Sequence, residues 1–146
     1  MKYVALSLVV GAIWAMQPII NAQLAKSIGT VGAAGFSFAV GWVFLACAFI
    51  FVQAQSGVSF HLALAFENPK LLLGGVIGAV VVLGMTYLVP RFGAGNTLAL
   101  AITGQLIMAA AIDQFGLLGI PQVELSPFRI LGFVLLLIGV NIVVHK

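Results

Sequence analysis

The chain alternates between long, uncharged apolar runs and short polar interruptions. Residues 3–25 carry no charge over 23 positions, and about 20 apolar residues suffice to cross the hydrocarbon core of a bilayer. This run therefore predicts a membrane-spanning helix. Runs at 31–52, 71–90, 94–112 and 127–144 predict four more, the last of them short and relying on Arg129 to reach the interface. The expected fold is all-α: a polytopic membrane protein in which residues 1–146 form one domain of five transmembrane helices, with its ends on opposite faces of the membrane. Gly29 and Thr30 end a connection of only a few residues, so the first two spans should pair tightly and antiparallel. Between the second and third spans, residues 60–66 are apolar but too short to cross; they are expected at the interface, with His61 as an interfacial side chain. Residues 114–126, rich in Gly, Pro and Leu, should form an ordered loop.

The first run is an imperfect span. At about 100° per residue, Ser7, Trp14 and Asn21 fall on one line of the helix with Gly11, Gln17 and Pro18 beside them, while Val9, Ile13, Met16 and Ile20 make an aliphatic opposite face. Lipid cannot satisfy an amide, so the Trp14/Gln17/Asn21 face should meet protein or a water-filled cavity. Pro18 removes a backbone donor and frees a carbonyl near Trp14. A broken, polar helix at membrane depth marks a transport site; the same residues also fit a proline kink whose amides bond helix to helix. On the fourth span Gln105 lies about midway, where an unsatisfied amide is costly, and is the natural partner for the first helix. Tyr87, near the end of the third span, joins Trp14, Gln17, Asn21 and Gln105 as a candidate substrate-binding residue.

Composition narrows the function. Hydrophobic residues make up 63% of the chain and charged residues 6%, against about 25% charged in soluble domains. The net charge of +3 is spread along the chain without a patch, so nucleic acid is not an expected partner. The single cysteine, Cys47, sits in an apolar run, and neither a metal site nor a cofactor is expected. The acids Glu67, Asp113 and Glu124 all lie at predicted membrane boundaries, which leaves no catalytic constellation for an enzyme. Asp113 and Arg129, at adjacent helix ends, are expected to form an interfacial ion pair, with a gate as the alternative. The amino-terminal run resembles a secretory signal, but it continues past the small residues 12–15 and is interrupted by Gln17 and Pro18, so it reads as a retained first span.

With five spans, Lys2, Lys70 and Arg129 fall on one side and Lys26, Arg91 and Lys146 on the other. The positive-inside rule then has no winner, as a chain that inserts both ways up requires. Many secondary transporters consist of two inverted halves around a midplane site, and this chain is long enough for one half. Small residues should mediate close helix contacts: Gly74 and Gly78 within the third span, and Gly132 and Gly139 of the fifth span at a dimer interface.

The stretches Gln17-Pro18-Ile19-Ile20-Asn21-Ala22-Gln23-Leu24-Ala25, Phe36-Ser37-Phe38-Ala39-Val40-Gly41, Pro90-Arg91-Phe92-Gly93, Gly104-Gln105-Leu106, Asp113-Gln114-Phe115-Gly116 and Leu125-Ser126-Pro127-Phe128-Arg129-Ile130-Leu131-Gly132 resemble the YdcZ-like family. These are five-helix, half-size members of the drug/metabolite transporter superfamily. The resemblance implies a multi-pass protein of the bacterial inner membrane, completed as a transporter by a second, oppositely oriented unit, in a homodimer or in a heterodimer with a paralogue. The related four-helix exporters place a glutamate in their first helix; here that helix has no acid, which argues against proton-coupled cation export. The expected activity is alternating-access movement of a small metabolite. A non-transporting assembly or regulatory role and a channel are the alternatives.

Overall fold

The computed structural model describes residues 2–56 and 72–145. The expected interfacial segment with His61 and Glu67 lies outside them. Among the described residues the fold is all-α, with four helical elements long and apolar enough to cross a membrane. These are α1 (Lys2–Ser56), α2 (Leu73–Phe92), α3 (Ala94–Phe115) and α4 (Pro127–Val144). They divide between two compact units, Met1–Arg91 and Phe92–Lys146.

The first two expected spans are contained in the single element α1, whose helical ladder is broken only at Gly29, with φ 75° and ψ 164°. That region of backbone space is essentially restricted to glycine. The connection thus shrinks from a loop to one residue. Ile13 and Ser37 line one cavity, as do Gln17 and Leu45; along an uninterrupted helix, residues 13 and 37 would lie about 36 Å apart. The chain therefore folds back at Gly29 into two arms, residues 2–28 and 30–56. Helix α2 packs against both. A Cβ added at Gly78 would come 3.8 Å from Phe38 Cζ, and Val81, Val82 and Met85 share a cavity wall with Trp14 and Asn21. Of the expected close-approach pair only Gly78 meets a neighbour; the space around Gly74 is open. Burial in this unit gathers on Pro18, Asn21, Ala22, Ala33, Ala34, Met85, Thr86 and Val89, where alanines let the backbones approach. Thr86 closes its polar account locally, its Oγ1 donating to the Val82 carbonyl at 2.7 Å.

Gly93 precedes α3 with φ 85° and ψ 150°, nearly the backbone state of Gly29. In the second unit α3 and α4 pack on each other. Gly116, left-handed at φ 60°, caps α3 and donates to the Asp113 carbonyl. The following loop is ordered, as expected. Val123 N donates to the Asp113 carbonyl at 2.9 Å, Leu125 N to Gln114 Oε1 at 2.7 Å, and Gln122 Nε2 to the Gln114 carbonyl at 2.8 Å. Helix α4 then begins at Pro127, which needs no N–H bond there, while Ser126 Oγ accepts from Arg129 N at 3.3 Å. The expected ion pair is present: Arg129 Nη2 lies 2.8 Å from Asp113 Oδ2, joining the end of α3 to the start of α4.

Because no atom lies within 4 Å of a Cβ placed at Gly29, substitution there costs backbone strain alone. Gly29→Ala should destabilise the protein by about 1–3 kcal/mol. Gly11→Ala, in a helical position with equally open space, should be neutral or stabilising by up to about 1 kcal/mol. Thermal unfolding of both variants in one detergent tests the difference, and equal melting temperatures would contradict it.

Candidate functional site

The polar face expected on the first arm exists and is partly enclosed. Trp14, Gln17, Pro18 and Asn21, one helical turn apart in sequence, line a cavity closed by Val81, Val82 and Met85 of α2. The cavity holds about 10 Å³, room for roughly one water molecule. Asn21 is 4% exposed, and its Nδ2 is buried with no hydrogen-bond partner. An amide donor left so in an apolar setting costs about 1–3 kcal/mol. The site thus retains an unfulfilled donor against an aliphatic wall.

Two wider spaces open between the arms. One, about 350 Å³, is lined by Ile13, Met16, Gln17, Ile20, Asn21 and Ser37; the other, about 310 Å³, by Gln17, Ser37, Phe38, Gly41, Trp42 and Leu45. Both are open grooves with exposed aliphatic and aromatic walls. Gln17 borders all three spaces, and Asn21 borders the enclosed one and the wider of its neighbours. Together they form a chamber open on its outer side, where Ile13, Met16, Ile20, Trp42 and Leu45 are exposed, with two amides, a hydroxyl, two indoles and no formal charge. It can offer hydrogen bonds and an aromatic surface to a solute, but it has no group to balance a bare cation.

Trp14, Gln17 and Asn21 are therefore brought together. Tyr87 is not part of this chamber. It sits two residues beyond Met85, about 200° around α2, is 50% exposed, and carries the Arg91 guanidinium 3.6 Å over its ring. Gln105 belongs to the second unit and is exposed on α3. In that unit Thr97 is 3% exposed and its hydroxyl has no partner, whereas Thr103 donates to the Ala99 carbonyl at 2.8 Å. Ser37 was not singled out from the sequence, although a hydroxyl between Phe36 and Phe38 in an uncharged run is a legible signal. Val81, Val82 and Met85 gave none, since any aliphatic residue can form such a wall.

No curated protein and no solved structure matches the chain. A family match does exist, and it spans almost the whole length. Over residues 2–142 the sequence fits the family described as "Putative inner membrane exporter, YdcZ", and the chain belongs to that family.

Proposed function

We propose that the protein is one half of a secondary transporter of the drug/metabolite transporter type in the bacterial inner membrane. It moves a small neutral or zwitterionic metabolite by alternating access. The observation that carries this reading is the buried, unpartnered Nδ2 of Asn21 beside Trp14 and Gln17. An amide whose work is to bond helix to helix makes that bond; this one makes none, and a solute acceptor would supply it. The enclosed cavity next to the two wider spaces fits a site closed around a water-sized volume and reopening for substrate. Membership of an exporter family points the same way. Neither Gln105 nor Tyr87 lines these spaces.

In this reading each arm of α1 crosses the membrane, so that Gly29 and Gly93, with nearly the same backbone state, each separate two spans and the chain has five. The working unit is an antiparallel homodimer, or a heterodimer with an oppositely oriented paralogue. Support comes from the three-to-three cation count and from Gly132 and Gly139, both exposed on α4 with open space where a Cβ would stand.

Topology is tested with reporters at Met1 and Lys146, expected on opposite faces within each molecule. Adding a few lysines to one side should lock a single orientation and abolish activity unless an inverted partner is supplied. A locked chain that still forms the same dimer and works alone rules out antiparallel pairing.

The site is tested by flux in reconstituted vesicles across a metabolite panel. Asn21→Ala should lower saturable flux by about tenfold or more, with dimer and yield nearly unchanged. Asn21→Leu should abolish flux while holding or raising the melting temperature, because it removes an unsatisfied buried donor. A lower melting temperature with normal flux per surviving dimer would assign the amides to helix assembly instead.

A further inference from the structure

The first unit has another cavity, away from the amides. It is an open groove of about 370 Å³, lined by exposed Lys26 at the end of the first apolar run, exposed Arg91 in the last turn of α2, Thr30, Thr86, and an apolar floor that includes Ala22 and Pro90. Two cations separated by 65 positions in sequence thus face one space at the same end of the unit. Each directly follows a long apolar stretch, which sets them at headgroup depth.

Nothing described in this unit neutralises them. Its described residues, 2–56 and 72–91, contain no Asp or Glu, and Glu67 lies outside the described residues. Asp113 is engaged with Arg129 in the second unit. Arg91 donates one Nη1 bond to the Tyr87 carbonyl at 2.8 Å and stacks on the Tyr87 ring, which orients the guanidinium and leaves further donors uncommitted. Thr30 offers a half-buried hydroxyl, while Thr86 is occupied with Val82. A planar fork, an ammonium and a hydroxyl around a polar opening over an apolar floor match a phosphate group attached to something apolar. Basic pockets between transmembrane helices bind anionic headgroups on this principle.

We propose that the Lys26/Arg91 cavity is an anion site for a phosphate group, the chemistry shared by an anionic phospholipid headgroup and free phosphate. It is distinct from the amide chamber and stands without the transport reading. The test uses the full chain in nanodiscs of the same lipid composition in both leaflets, so that insertion orientation does not affect the result. Phosphatidylglycerol retained per protein is measured by native mass spectrometry over a phosphatidylcholine background. In parallel, inorganic phosphate is titrated in a neutral detergent.

Lys26→Gln and Arg91→Gln should each weaken the bound phosphate species by roughly fivefold. Lys26→Arg should keep it, and Lys2→Gln should change nothing. Loss confined to phosphatidylglycerol, with no binding of inorganic phosphate, assigns the lipid; the same dependence for inorganic phosphate assigns a soluble anion. Melting temperatures in phosphatidylcholine alone separate lost binding from lost folding, and Lys26→Gln, which breaks no recorded contact, is the cleaner variant. Phosphatidylglycerol and phosphate binding that are both indifferent to Lys26 and Arg91, or equally reduced by Lys2→Gln, would overturn the site.

Discussion

A bilayer interior offers no hydrogen-bond partner, and the structure follows from that deficiency. Backbone groups must bond within their own segment, so each long apolar run among the described residues is helical. Hydroxyls turn inward: Thr86 and Thr103 donate to carbonyls one turn earlier in their own helices. Against that background, a polar atom that remains unbonded carries information. Asn21 Nδ2 and Thr97 Oγ1 are such atoms among the described residues, and Asn21 faces a cavity shared with Trp14 and Gln17.

Two of the connections between helical runs are correspondingly short. Gly29 reverses the chain in one residue and Gly93 uses nearly the same backbone state. The longer connection after α3 is held by bonds to Asp113, Gln114 and Ser126, and the Asp113–Arg129 pair neutralises both charges there. Among the described residues of the first unit, Lys26 and Arg91 meet no carboxylate, and Arg91 is held by the Tyr87 carbonyl and ring.

The amide chamber and the cationic cavity use neighbouring positions on the same helices. Asn21 and Met85 line the first, while Ala22 and Thr86 line the second. Burial is concentrated on that wall. Both spaces therefore depend on how the first arm packs on α2.

Much of this was legible in the residues alone, because the cost of exposing polar groups to lipid acts on composition and period without needing partners. The helical runs, the ordered 114–126 loop, the Asp113–Arg129 pair and the shared face of Trp14, Gln17 and Asn21 all follow from spacing and charge. The ends of elements were less legible: Gly29 reads as part of a loop until its φ and ψ show that one residue suffices. Cross-helix relations were not legible at all. That Asn21 finds no partner, that Ser37 rather than Tyr87 joins the chamber, and that Lys26 meets Arg91 depend on how α2 rotates against the two arms. Aliphatic surfaces set that rotation by shape, and many sequences with the same pattern would leave it open. Period determines which side of a helix a residue occupies, but only tertiary packing decides what that side faces.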